Sequence, residues 1–298
     1  VRLAFFGTPQ FAVPALDALA TAHEVALVVA QPDKPSGRGM EVKAPAVAVR
    51  ARELGLPLIQ PAKVREAIED VRCAAPDVAI VVAYGKILPA ALLEIPTHGF
   101  LNIHGSILPR WRGAAPIQRA IEHGDVETGV TIMRVDVELD HGPMLAIAKT
   151  PIGPDDHTPA VAERLASLGA AALLDVLVRL DSIDETPQEH SLATFAPKIE
   201  KSEGEVDWSA PAQSIYNKFR AFDPWPGIFT KDSLKLVDIR PATGHQPPAT
   251  VIAIDDGVTI ACGDGAIRVI TMQRPGKPRA AAGDVARGLG WRAGTRLS

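Results

Sequence analysis

Asn102 and His104 stand two residues apart in the segment Gly-Phe-Leu-Asn-Ile-His-Gly that ends at Gly105. In an extended chain that spacing puts both side chains on one face. The amide offers an N–H donor at any pH. The imidazole can donate when protonated and can carry a proton between two partners. An isolated Asn-x-His is more often a satisfied core histidine beside a turn-forming Asn. Two neighbours reverse that reading. One is the run Ser106-Ile107-Leu108-Pro109-Arg110-Trp111-Arg112-Gly113-Ala114-Ala115-Pro116-Ile117-Gln118, and the other is the acidic loop 136–143, which contains Asp140. A carboxylate near the imidazole would favour its charged form and orient the ring or a proton-carrying water.

These groups need a scaffold, and the hydropathy pattern supplies one. Residues 2–6, 25–30 and 77–83 are apolar runs, the first and last opening on Arg2 and Asp77, suited to buried parallel strands. Helical spacing at 11–22, 46–54, 64–74 and 116–123 alternates with them, and further strands are expected at 58–59, 101–104 and 129–135. Strands alternating with helices predict an α/β fold, a doubly wound, mostly parallel sheet of the Rossmann-like kind. Ligands of such sheets bind beyond the carboxyl ends of the strands, where Asn102 and His104 would stand. A long Ala/Leu-rich helix at 158–180 would pack on the sheet. Periodicity then fades and Pro187 and Pro197 interrupt the chain, which predicts a linker. Beyond it come one helix at 210–222 and short strands near 228, 234–239, 249–254, 258–261 and 266–272, a spacing that suggests a small OB-like barrel. The expected division is 1–183, a linker at 184–204, and 205–298.

A chain of 298 residues is long enough for about two domains. Its net charge of −4 argues against indiscriminate coating of nucleic acid. Basic residues cluster nonetheless: Lys34, Arg38, Lys43, Arg50 and Arg52 in one stretch, and Arg274, Lys277, Arg279, Arg287, Arg292 and Arg296 near the end. Local basic patches on an acidic whole suit selective recognition of a polyanion. Cys73 and Cys262 are far apart and the histidines are scattered, so neither a disulfide framework nor a metal site is expected. With no leader and no run of membrane-spanning length, a cytoplasmic location is expected. No dinucleotide glycine fingerprint, P-loop or nucleophile elbow is present, so Ser106 reads as a turn residue before it reads as a nucleophile.

On its Asn102-x-His104 pair, its Ser106-Ile107-Leu108-Pro109 turn followed by Arg112-Gly113-Ala114, and Asp140 ahead of Gly142, the chain resembles the formyltetrahydrofolate-dependent formyltransferases. Trp111 with the Ala114-Ala115-Pro116-Ile117-Gln118 run, the 221–226 stretch Ala-Phe-Asp-Pro-Trp-Pro and a closing Gly294-Thr-Arg-Leu make it most similar to those acting on methionyl initiator tRNA. The resemblance spans nearly the whole chain. It implies formyl transfer from 10-formyltetrahydrofolate to the methionyl α-amine of charged initiator tRNA, by a monomer without metal. Asn102, His104 and Asp140 would be catalytic. Folate would lie against Lys86, Ile87 and Leu88, the turn Ser106, Ile107, Leu108 and Pro109, and Val135 with Asp136. Transfer RNA would meet Lys34, Arg38 and Lys43 on one loop and Arg274, Lys277, Arg279 and Arg287 on the barrel. Alternatives are a folate transferase or hydrolase acting on an aminosugar nucleotide, glycinamide ribonucleotide or water, and a non-catalytic RNA-binding protein with a relic α/β domain.

Overall fold

Apolar runs that lack a polar face must be covered on both sides, and in the computed structural model, which describes residues 1–36 and 41–297, they form the middle of one sheet. The strands are β1 (Arg2–Gly7), β2 (Glu24–Val29), a hairpin of β3 (Lys34–Ser36) and β4 (Glu41–Lys43), β5 (Leu58–Ile59), β6 (Val78–Val82), β7 (Phe100–His104), β8 (Arg112–Gly113), β9 (Glu127–Arg134) and β10 (Met144–Pro151). Seven of them build the main sheet in the order β10-β9-β7-β6-β1-β2-β5. The five from β7 to β5 are parallel, whereas β9 runs antiparallel to β7 and β10 antiparallel to β9. The doubly wound expectation holds, with an antiparallel edge added. Strand β10, Met-Leu-Ala-Ile-Ala-Lys-Thr-Pro, escapes a sequence reading because it lies at the sheet edge, where its burial is alternating and partial.

Helices α1 (Val13–Ala22), α2 (Ala46–Glu53), α3 (Ile68–Ala74) and α4 (Ala90–Leu93) fall between the strands; α5 (Pro116–Glu122) and α6 (Thr158–Val178) follow. Helix α6 passes close over β7: a Cβ on Gly169 would stand 2.6 Å from Cγ2 of Ile103, which lies between Asn102 and His104 in sequence. Gly169→Ala therefore sets a gain in helix propensity of about 1 kcal/mol against overpacking of about 1–3 kcal/mol. We expect a net loss of stability, read as a lower denaturation midpoint at unchanged slope. A gain would show that Ile103 can move aside.

The chain forms two compact units. The first comprises Val1–Pro116, Glu127–Pro151 and Val161–Pro197; the second comprises Ile117–Val126, Ile152–Ala160 and the chain from Lys198 onward. The expected linker thus does not stand apart as far as Pro197. Thr186 bridges Met144, and β11 (Phe195–Ala196) pairs with β8. The stretch looks like a linker because hydrogen bonds, and not an apolar stripe, hold it in place.

The second unit contains α7 (Ala212–Ala221), β12 (Ile228–Phe229), β13 (Lys235–Ala242), β14 (Val251–Ile254), β15 (Val258–Ala261), β16 (Ala266–Gln273), β17 (Arg279–Ala281) and α8 (Ala282–Gly288). Its strands pair antiparallel in the order β12-β13-β16-β15-β14, with β17 beside β16. The expected short strands are present, but among the described residues no ladder joins β12 to β14, so hydrogen bonding does not close a barrel. Trp208, Phe219, Leu236, Ile239, Ile260, Ile267 and Met272 fill its core. Arg119, 8% exposed, ties the 117–126 segment into this unit through Glu203 at 2.8 Å, and pairs with Glu122 of its own helix at 2.7 Å.

Candidate active site

Strand β7 delivers its two polar residues as the spacing predicts. Ile103, on the opposite face, is buried, while Asn102 is half-buried and His104 is 5% exposed. Nε2 of His104 lies 2.9 Å from the carbonyl of Trp111. A carbonyl only accepts, so Nε2 carries a hydrogen and Nδ1 is the nitrogen free to take up or release a proton. Nδ1 faces Asp140, 3.6 Å from Oδ2. That distance is beyond a direct hydrogen bond and within electrostatic reach. Asn102, one pleat away, makes no side-chain hydrogen bond to another described residue, so its amide is available to a ligand.

Asp140 reaches this place by an indirect route. Because β9 is antiparallel to β7, with Arg134 opposite Leu101, the loop after β9 leaves the sheet beside the start of β7. It must fold back to bring Asp140 to His104. The site accordingly sits at the carboxyl end of β7, where His104 is the last strand residue, with the returning loop folded over it. Asp140 takes a left-handed backbone conformation (φ 49°), as do Ala83 (φ 48°) after β6 and Trp111 (φ 64°). Such conformations cost of order 1–3 kcal/mol each in non-glycine residues and persist where neighbours over-determine them. At Asp140 those neighbours are the Gly113 N–H, donated to Oδ2 at 2.8 Å, and Gln188, whose Nε2 donates to the carbonyls of Asp140 at 2.9 Å and Gly142 at 2.8 Å. Gly113 itself has φ 119° and lies so near the Ala196 carbonyl that a Cβ would come within 2.7 Å of it.

The residues expected to hold folate divide into two groups. Ile87 is 89% exposed beside the strand end, and Val137 (75%) and Leu139 (65%) add apolar surface on the returning loop. Ile107, Pro109 and Val135 are half-buried. These could line a slot for a flat ring, with strand-end backbone supplying polar partners. Leu88 instead belongs to the core with Phe6, Tyr84, Leu92 and Phe100, and Leu108 is 3% exposed. Ser106 is fully buried; its hydroxyl donates to the Arg110 carbonyl at 2.6 Å and its own carbonyl accepts from Thr131, which makes it a support of the turn. Lys86 donates to the Ala62 carbonyl at 2.6 Å. Asp136 caps the returning loop, accepting from the Glu138 N–H and facing His141 at 2.9 Å. Exposure could not be read from sequence, because a Leu in a slot and a Leu in a core look alike.

The polyanion candidates also divide. Lys34 and Lys43 are exposed and directly opposite each other on the β3-β4 hairpin, a like-charge pairing that is unfavourable without an anion nearby. Arg38 lies outside the described residues. In the second unit, Arg274, Lys277 and Arg279 are exposed around the turn from β16 to β17. Arg287 is occupied, donating to Asp284 and to the Asp255 carbonyl. Among the described residues no group of His, Cys, Asp and Glu is arranged to hold a metal ion, and no helix is long and apolar enough to cross a membrane.

Sequence reasoning missed Gln188, His190 and Thr194, all from the expected linker. Thr194 accepts from Trp111 N–H through its hydroxyl at 2.9 Å and from Arg112 N–H through its carbonyl at 2.8 Å, which fixes the carbonyl that holds His104. Nothing in their spacing announces them, since their partners lie dozens of residues away.

Comparison with known proteins identifies the family of the chain. The formyl transferase family model matches residues 1–177, and the model of the formyl transferase C-terminal domain matches residues 198–290. The methionyl-tRNA formyltransferase of Thermus thermophilus is 46% identical over all of this chain and 99% of that protein. That of Aromatoleum aromaticum is 47% identical over all of this chain and 97% of its own length. Among solved structures, an N-formyltransferase from Helicobacter canadensis, in complex with folinic acid and dTDP-3-aminofucose, superposes with a TM-score of 0.71 at 17% identity, covering 90% of this chain and 98% of that one. HypX from Aquifex aeolicus, in complex with tetrahydrofolic acid, gives 0.65 at 19% identity over all of this chain and 50% of that one. At those identities the structures share the fold, whereas the sequence relatives share the family. With its two domain models in order and close relatives matched end to end, the chain belongs to the formyl transferase family, among the methionyl-tRNA formyltransferases.

Proposed function

We propose that this protein transfers the formyl group of 10-formyltetrahydrofolate to the α-amino group of methionyl initiator tRNA, in the cytoplasm where translation starts. The observation that carries the reading is Asp140 at 3.6 Å from His104, with Asn102 on the same face of β7, within a chain whose full-length relatives bear that name. The neutral amine attacks the formyl carbon, a C–N bond forms, and the bond to the folate nitrogen breaks. Asn102 donates to the oxygen as negative charge develops on it, an interaction stronger at that moment than in the ground state. His104 Nδ1 takes the proton from the attacking nitrogen and returns one to the leaving nitrogen, and Asp140 steadies the ring while it is charged. Ile87, Val137 and Leu139 would cover the faces of the folate ring. No covalent enzyme intermediate is required.

The direct test is formyl transfer from 10-formyltetrahydrofolate to charged initiator tRNA, with an aminosugar nucleotide and water as the competing acceptors. Transfer to the tRNA alone is expected. Preference for the sugar, or hydrolysis only, would overturn the substrate assignment. The pH profile tests the mechanism. Free α-amines titrate at roughly 7.7–8.0, so below that range the rate should fall about tenfold per pH unit as the nucleophile is protonated. A flat profile from acid to neutral pH, with chemistry rate-limiting, would contradict attack by the amine.

A further inference from the structure

Arg112 anchors both ends of the loop that carries Asp140. On one side its Nε and Nη2 donate to Oε1 of Gln188, at 3.1 and 2.6 Å, while the Gln188 amide nitrogen donates to the carbonyls of Asp140 and Gly142. On the other side Nη2 donates to Nδ1 of His190 at 2.8 Å. The His190 ring stacks on His141, with centroids 4.0 Å apart and planes within 3°, and His141 meets Asp136. Arg112 and Gln188 are each 5% exposed. Next to Arg112 in the chain, the Gly113 N–H holds the Asp140 carboxylate itself.

A glutamine suits this position for a specific reason. Its oxygen can accept twice from one guanidinium while its nitrogen donates twice to the loop, so every polar function of the side chain is used. Both donated bonds go to the backbone of the loop that carries Asp140, at Asp140 itself and at Gly142. We propose that Gln188, held by Arg112, is a positioning residue for the transfer step: it keeps Asp140 against His104, and losing its two donated hydrogen bonds lowers kcat without weakening substrate binding. The proposal rests on the reading of Asp140 as the carboxylate that serves His104.

Gln188→Glu is the informative variant. It keeps the volume and the grip of Arg112, but presents oxygen in place of a donor to the two carbonyls. We expect kcat to fall about tenfold to a hundredfold, the range produced by displacements of about 1 Å at a reacting centre. KM for both substrates should change by less than about threefold, as for a group that acts in the transition state. Hydrogen exchange of the peptide containing Gly113 should quicken, because the acceptor of that amide moves. The same substitution in an Asp140→Asn background should cost almost nothing more. Thermal melting of Gln188→Glu and of Gln188→Met identifies which keeps the parent transition, and that variant carries the kinetic test.

An unchanged kcat, an equal loss in both backgrounds, or a loss confined to KM would overturn the positioning role. Parent-level turnover by Asp140→Asn alone would show instead that the underlying reading of Asp140 is wrong. The two failures are therefore told apart by one single variant.

Discussion

His104→Ala should lower kcat by about a hundredfold to ten-thousandfold, the usual range for a positioned proton carrier, while both substrates still bind. Asn102→Ala should cost about a hundredfold to a thousandfold, as expected for a lost donor to a developing oxyanion. The two side chains share one strand face, and Asp140 lies 3.6 Å from the imidazole, so the three should behave as a unit. Double variants should then lose far less than the sum of the single losses. One complication is structural. Removing the ring takes the imidazole hydrogen bond away from the Trp111 carbonyl, a change of about 0.5–1.5 kcal/mol, so melting curves must accompany the kinetics. Near-normal turnover in a folded His104→Ala protein would sink the assignment.

The parts of this site that were legible in the sequence are those whose signal is local. Asn102 and His104 share a face because strand geometry has a period of two, and 78–82 forms a central strand because five apolar residues in a row have no other economical place. The resemblance to a known family then picked out Asp140, which no local pattern tied to His104. What stayed hidden is non-local. Strand β10 has a weak, half-exposed pattern, and its antiparallel placement, with that of β9, is what forces the Asp140 loop to fold back. Gln188 meets Arg112 across 76 residues of sequence, and its burial is satisfied by hydrogen bonds with no apolar neighbour required. Hydropathy cannot reveal such a residue, and the two prolines around it pointed to a linker. Leu88 and Ile87 show the converse error: adjacent and chemically alike, one is core and the other 89% exposed.

Replacing Arg274, Lys277 and Arg279 together by glutamine should weaken binding of initiator and elongator tRNA alike and flatten its salt dependence. The three are exposed around a single turn of the second unit and can each meet a phosphate. Each lost phosphate contact reduces the log–log slope by roughly 0.7–0.9, so the triple variant should lose about 2–3 in slope. Affinity should drop most at low salt, where released counterions contribute most. Arg287 supplies the internal control. Its guanidinium is engaged by Asp284 and the Asp255 carbonyl, so moving to a phosphate would require breaking those contacts. Arg287→Gln should leave the slope within error of the parent value, although the chain's basic terminal stretch makes all four residues look equivalent in sequence. Filter binding at four salt concentrations, with both tRNAs, separates the cases. An unchanged slope in the triple variant would remove the β16-β17 turn from the tRNA contact. A loss at Arg287 as large as that from any one of the three would mean that the arginine leaves its carboxylate to bind, and that net charge on this unit matters more than the placement of individual side chains.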